Sequence, residues 1–306
     1  MNILFYTVTG DGARWVDALS LELPRASICV WPEAGKPIDY AVVWKPPPEL
    51  IARLSGAHAV FNLGAGVDAI AGLSAWPEGV PLIRLEDAGM AEQMTEYVTY
   101  AVLRQYREFD AYERAQSTAE WRPRRRRDKA AFGVGILGMG VLGRVVVNAL
   151  LALGFPVSCC SRTRKELPSV ASFAENELEA FLATSRVLVC LLPLTPETRG
   201  ILDRERLARL PRGAYVINVA RGALVVEADL LALIDGGHLS GAMLDVFHDE
   251  PLPPGHAFWH HPRITVTPHV SAMTQIDESV TQIAAKIRRL EAGLPVSGVV
   301  DPARRY

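Results

Sequence analysis

The chain has 306 residues, is 49% hydrophobic, and carries 34 acidic against 32 basic side chains for a formal net charge of −2. That length supports one large core or two medium ones, two being the expectation, and the charge balance gives no general pull toward nucleic acid or an anionic membrane. No basic region or small-residue cleavage site opens "MNILFYTVTG", and no uncharged apolar run approaches the ~20 residues that span a bilayer, so a cytoplasmic location is expected.

Over the first ninety residues, short β-branched or aromatic runs alternate with helical stretches: "NILFYTV", "SICVW", "YAVVW", "AVFNLG" and "PLIRL" are the strand candidates of a small α/β domain. From Ala91 to about Trp121 runs a long amphipathic segment, with Met94, Val98, Ala101/Val102 and Gln105/Tyr106 at helical spacing, the pattern of a core or subunit contact. The basic "RPRRRRDKA" after it, with Arg124 to Arg127, reads as a solvated interdomain loop, and no function is assigned to it. A more regular alternation begins at Ala131: "AFGVGILG", a helix from about Val141, "PVSCCS", a helix near "ELEAFLA", "RVLVCLLP", a helix near "RERLARL", "AYVINVA", a helix near "EADLLALI", "GAMLDVF" and "RITVTPH". Strands spaced by helices imply right-handed crossovers and a doubly wound parallel sheet. A last helix, about Thr274 to Ala292, follows the sheet and is expected to return to the first domain. The expected organisation is therefore α/β throughout: a smaller, flavodoxin-like substrate domain over 1–98, completed by 271–306, into which a Rossmann domain over 99–270 is inserted, with a cleft between the two. Cys29, Cys159, Cys160 and Cys190 lie in apolar stretches without metal-ligand spacing, so neither a disulfide framework nor a metal site is expected.

Within "GVGILGMGVLG", Gly138, Gly140 and Gly143 follow a strand and open a helix. Gly138 permits the tight turn, Gly140 lets the backbone approach a pyrophosphate, Gly143 lets helix pack on strand, and the helix N–H groups, with Val141 and Leu142 in its first turn, receive the anion. About twenty residues on, where a carboxylate would bind the ribose 2′-hydroxyl of NAD, stand Ser161, Arg162, Arg164 and Lys165. An acid there would repel a 2′-phosphate; a hydroxyl, two guanidiniums and an ammonium attract one, so the expected cofactor is NADP, used as NADPH. Three more segments end predicted strands, where an open α/β sheet meets its ligand: "NVARG" with Arg221, "DVFHDEP" with Glu250 and "TPHV" with His269.

In this order behind this glycine loop, these segments resemble the D-2-hydroxyacid dehydrogenase family over nearly the whole chain. "LGAGVD" (63–68), "LLPLTPETRGI" (191–201), "NVARG" (218–222), "GAMLDVFHDEPLPP" (241–254) and "TPHV" (267–270) carry the resemblance. "RLEDAGMAEQMTEY", "GILGMGVLG", "SRTRK" and the closing "DPARRY" look like the branch that reduces glyoxylate and hydroxypyruvate with NADPH. The resemblance implies a small 2-oxo acid as substrate, Arg221 as its anchor and carbonyl polariser helped by the N–H groups of Ala65 and Gly66, His269 as proton donor, and Glu250 as the group that orients the imidazole and favours its charged form. It further implies contact of Asp245 with the nicotinamide side of the cofactor, a lining role for Leu192, Pro193 and Thr198, and a homodimer.

Trp44 and Lys45, in "VVWKPPP", have two readings, narrowing or charging the substrate cleft against plain packing and solvation; for Trp121 the resemblance implies an aromatic of the dimer region that reaches a neighbouring subunit's site. Two other functions stay open: a dinucleotide-sensing corepressor that keeps the same Arg, Glu and His, and a dehydrogenase for another D-2-hydroxy acid or a phosphonate-type oxidation. Substrates one methylene apart differ by only ~1–3 kcal/mol in a pocket, too little to read from residue types.

Overall fold

β-branched and aromatic runs favour strands, and when both faces of a strand are covered they lose the apolar/polar alternation of half-exposed ones. A computed structural model, which describes residues 1–33, 37–71 and 76–301, bears this out in both halves of the chain. The first half forms β1 (Asn2–Tyr6), β2 (Ser27–Val30), β3 (Tyr40–Val43), β4 (Ala59–Asn62) and β5 (Leu82–Arg84). All pair in parallel in the order β2-β1-β3-β4-β5, the 2-1-3-4-5 order of flavodoxin-like sheets, and every residue of β3 and β4 is buried. The last helix, Ile276–Glu291, belongs to this unit and buries Val280, Ile283, Ala284 and Ile287. Buried Lys286 is fixed by Glu86 at 3.2 Å, and Val300 N–H donates to the Leu82 carbonyl of β5 at 2.8 Å.

The second half forms β6 (Val134–Leu137), β7 (Val157–Cys160), β8 (Val170–Phe173), β9 (Val187–Cys190), β10 (Ala214–Asn218), β11 (Leu239–Leu244) and β12 (Ile264–Val266). They make one parallel sheet, β12-β11-β10-β9-β6-β7-β8, whose order reverses between β6 and β9, the switch point where open α/β sheets bind their ligands. Alternate residues of β10 serve opposite faces: Ala214 and Val216 pack with Leu207, Leu230 and Phe258, whereas Tyr215 and Ile217 pack with Val98, Val102 and Val146.

Three elements differ from the expectations. β8 is an additional edge strand; three of its residues are half-buried and Ala171 is exposed, so "VASF" has neither the length nor the apolar run that marks its neighbours. The segment from Ala91 to Trp121 is not continuous: Met90–Arg107 and Phe109–Ser117 are separate helices, broken at Glu108, whose φ is +56°. The Glu108 carboxylate there meets Arg124 at 3.0 Å and Arg127 at 3.1 Å, and Tyr106 donates to the Arg127 carbonyl, so part of the basic cluster is folded back onto these helices rather than left in water. The chain separates into two compact units, residues 1–90 with 274 onward and residues 91–273, and Met94, Val98, Ala101 and Val102 of the helix Met90–Arg107 share one core in the second.

Candidate active site

The glycine loop joins β6 to the helix Val141–Ala152, and each of its glycines meets a different demand. Gly138 has φ +112°, and a Cβ there would lie 2.7 Å from the Leu191 backbone, so the loop rests directly on the turn that leaves β9. A Cβ on Gly143 would lie 2.3 Å from the Gly138 carbonyl oxygen, which is the close helix-to-strand approach the motif predicts. Around Gly140 a Cβ would meet nothing within 4 Å, and no side chain caps the helix that starts at Val141. Open space therefore faces uncapped N–H groups of a twelve-residue helix, which fits the pyrophosphate of a dinucleotide. Exposed Val141 and half-buried Leu142 form the helix's first turn. Across the switch point, Leu192, Pro193 and Thr198 are all half-buried. The Thr198 hydroxyl donates to the Pro193 carbonyl at 2.7 Å and accepts from Thr195 N–H at 2.8 Å, so it braces the turn from within.

Past β7, the Ser161 hydroxyl donates to the Thr163 carbonyl at 2.9 Å, and Lys165 is tied through its N–H to Ser172 Oγ at 2.8 Å and through Nζ to Thr163 Oγ1 at 3.3 Å. Arg162 and Arg164 are exposed. The Arg164 guanidinium is paired with Glu177, whose other oxygen accepts from Ala174 N–H at 2.8 Å. The tip is thus basic and partly braced, and no acid occupies the position after β7; this fits a 2′-phosphate better than a bare 2′-hydroxyl.

Arg221, Glu250 and His269 follow β10, β11 and β12, three adjacent strands. The imidazole Nδ1 of His269 lies 2.7 Å from Glu250 Oε2, and both side chains are partly open, at 44% and 35%. Glu250 Oε1 accepts from the Phe247 N–H at 3.0 Å. Partial burial alone would raise the Glu250 carboxyl; the hydrogen bonds from His269 and Phe247, with the charges of His269 and Arg221, outweigh it and hold the group below the ordinary glutamate range. Gly222 brings the Arg221 segment up to this pair, since a Cβ on it would fall 1.9 Å from the Phe247 carbonyl carbon. The Arg221 fork sends one N–H to the Ala220 carbonyl at 2.7 Å, and the buried Asn218 carboxamide secures the segment by donating to the Arg221 carbonyl at 2.9 Å and accepting from Ala220 N–H at 3.2 Å.

Asp245 is buried, and its carboxylate accepts from Thr267 Oγ1 at 2.6 Å and from the N–H groups of Val270 and Ser271 at 2.9 and 2.8 Å, tying down the turn that carries His269.

Comparison with known proteins bears directly on this arrangement. The family model for the NAD binding domain of D-isomer specific 2-hydroxyacid dehydrogenases matches residues 99–271. The chain is 49% identical, over the whole of both sequences, to a glyoxylate/hydroxypyruvate reductase A of Serratia proteamaculans. It belongs to the D-isomer specific 2-hydroxyacid dehydrogenases. Among solved members of this dehydrogenase family, one from Xanthobacter autotrophicus Py2, in complex with NADPH and MES, is 42% identical with a TM-score of 0.96, covering 100% of this chain and 99% of its own. The NADPH-dependent glyoxylate/hydroxypyruvate reductase of Sinorhizobium meliloti, in complex with NADP and sulfate, is 37% identical with a TM-score of 0.94 and the same coverage.

The N-terminal unit of this dehydrogenase holds "LGAGVD" as the loop after β4. Buried Asn62 donates to the carbonyls of Gly64 and Gly66, both at 2.9 Å, and because a trans peptide sets C=O and N–H on opposite sides, the Ala65 N–H is turned away from Asn62. A Cβ on Gly64 would lie 2.7 Å from the Trp44 ring, so Trp44 packs on this loop. Lys45 has φ +49°, with its ammonium 6.0 Å from the Trp44 ring centre. Asn62, Asn218, Gly222 and Glu177 were not singled out from sequence. The two asparagines carried a signal, each being the polar last residue of an otherwise apolar strand; the others depend on partners distant in the chain. In the closing "DPARRY", residues 302–306 lie outside the described residues.

Proposed function

We propose that this dehydrogenase uses NADPH to reduce small 2-oxo acids, glyoxylate to glycolate and hydroxypyruvate to D-glycerate. The single observation that carries the reading is the 2.7 Å His269–Glu250 pair, with the Arg221 segment locked against the Glu250 loop through Gly222. Bound NADPH supplies the hydride that reaches the carbonyl carbon. The planar fork of Arg221 holds the substrate carboxylate and draws electron density toward the carbonyl oxygen. His269 gives that oxygen its proton, and Glu250, charged through the neutral range, keeps the imidazole oriented. In the N-terminal unit, the substrate contacts are the N–H groups of Ala65 and Gly66. The cofactor is held at Gly138, Gly140, Val141, Leu142 and Gly143 for its pyrophosphate, at Leu192 and Pro193 along its length, and at Ser161, Arg162, Arg164 and Lys165 for its 2′-phosphate.

Self-association as a homodimer is part of the proposal. The helix Phe109–Ser117 buries none of its residues, leaves Phe109 and Tyr112 partly open, and is followed by Trp121 at 97% exposure, an aromatic surface that a second copy would cover. Among the described residues no helix is long and apolar enough to cross a membrane, and the four cysteines are free thiols, which supports a cytoplasmic site of action. One steady-state comparison tests the reading: glyoxylate, hydroxypyruvate and pyruvate, each with NADPH and NADH. Preference for NADPH and for the first two acids is expected; equal use of NADH, or turnover of none of the three, refutes it.

A further inference from the structure

Behind the turn that carries His269 runs a line of hydrogen bonds that the reading above does not use. Tyr97, on the helix Met90–Arg107, has its hydroxyl 2.5 Å from Thr267 Oγ1, and Thr267 Oγ1 donates to Asp245 Oδ1 at 2.6 Å. A carboxylate oxygen only accepts, so the threonine proton is committed to Asp245 and the tyrosine must be the donor to threonine. Burial first, opposed by the Thr267 hydrogen bond and helped by the Asp245 charge, pushes the Tyr97 phenol well above its ordinary range, so the donor keeps its proton at every working pH. His269 itself sits at φ +56°, with its N–H shared between the carbonyls of Asp245 at 2.9 Å and Thr267 at 3.1 Å. A non-glycine residue persists in that left-handed region only where its surroundings hold it, and here they are the Asp245 carboxylate and the residues bonded to it.

We propose that Tyr97 is a positioning residue for the proton transfer: by completing the bonds of Thr267, and through Thr267 those of Asp245, it holds the 267–271 turn where His269 Nδ1 meets Glu250 Oε2. The inference rests on His269 being the proton donor, and it extends that role to a hydroxyl on a helix 170 residues away from Thr267 in the chain. Tyr97 acts through the turn alone. Arg221 and Glu250, the charged groups that bear directly on the imidazole, keep their places when the Tyr97 hydroxyl is removed.

The test is glyoxylate reduction with NADPH across pH, for the parent enzyme, Tyr97→Phe, Thr267→Val, Thr267→Ser, the double variant Tyr97→Phe/Thr267→Val, and His269→Asn as reference. Tyr97→Phe should lower kcat about tenfold, the effect of one well-placed hydrogen bond, with NADPH binding by fluorescence unchanged. Thr267→Ser should stay above Thr267→Val, and the double variant should be no worse than Thr267→Val, since both changes break one line of bonds. A Tyr97→Phe enzyme with the parent's kcat overturns the inference; so does one whose NADPH binding and melting temperature fall in step with kcat, which is a structural role only. If Tyr97→Phe does not fold, the serine and valine variants of Thr267 decide the matter on the same readouts. An active parent with an inactive His269→Asn and an unaltered Tyr97→Phe sinks this inference alone. A parent that reduces no 2-oxo acid sinks the functional reading and this inference with it.

Discussion

Replacing Gly222 by alanine tests how closely the three strand-end segments must approach. The added methyl would sit 1.9 Å from the Phe247 carbonyl carbon, 2.1 Å from its oxygen and 2.4 Å from the His248 nitrogen. Carbon atoms rest at about 3.5–4.0 Å, so one segment must retreat by roughly 1.5 Å, and since every opposing atom is backbone, no side-chain rotation can absorb the change. Overpacking of this kind costs about 1–3 kcal/mol in stability, and the upper end is expected here. The larger effect is on the reaction, because the displacement separates Arg221 from Glu250 and His269; a shift of about 1 Å in a reacting group lowers turnover on the order of 10²-fold. The assay pairs glyoxylate kcat/KM with a thermal melt and NADPH fluorescence titration. NADPH affinity should hold, since the glycine loop lies on β6 at the other side of the switch point. A Gly222→Ala enzyme with the parent's melting temperature and turnover would show that the close approach does not matter.

Three further predictions concern single side chains. Arg162→Ala should raise the KM for NADPH about tenfold or more while leaving that for NADH nearly unchanged, because a hydrogen bond to a charged group contributes roughly 1.5–3 kcal/mol; equal effects on both cofactors would remove Arg162 from the 2′-phosphate site. Arg221→Lys keeps the charge and loses the two-pronged fork, so glyoxylate turnover should fall roughly ten- to hundredfold with NADPH binding intact, and a variant that stays active would move the substrate anchor elsewhere. Glu250 has a depressed folded-state pKa, so what its pairing adds to stability is present above the ordinary glutamate value and lost as pH falls through the lowered one; at 35% exposure this is roughly 0.2–1 kcal/mol. Glu250→Gln should flatten that acid-side dependence in thermal melts, and an unchanged melt profile would disprove the pairing.

How much of this was legible in the sequence depended on whether the physical signal was local. Parallel strands such as "YAVVW" and "AYVINVA" are continuous apolar runs because both faces are buried, and the glycine spacing is visible because the tight turn at Gly138 and the helix contact at Gly143 each exclude a side chain within six residues, with Gly140 facing open space between them. β8 was not legible, since an edge strand of four residues, none of them fully buried, carries little pattern. Nor was the break at Glu108, which the amphipathic stripe runs through unchanged and which brings its carboxylate to arginines sixteen or more residues on. Arg221, Glu250 and His269 could be picked out as strand-end residues. Their supports could not: Asp245 beneath the His269 turn, Glu177 on Arg164 and Gly222 against Phe247 all depend on which distant segments meet, and residue type alone does not say so.

The central claim is that His269 delivers the proton in reduction of a 2-oxo acid, and its most direct test compares the parent with His269→Asn in the same preparation, by NADPH oxidation with glyoxylate and by NADPH binding. The account predicts unchanged NADPH affinity and a loss of reduction of about 10²–10⁴-fold, the share that general acid catalysis supplies. A protein that binds NADPH tightly, reduces no small 2-oxo acid, and is unaffected by His269→Asn would contradict the account and mark a cofactor-sensing module on the dehydrogenase fold.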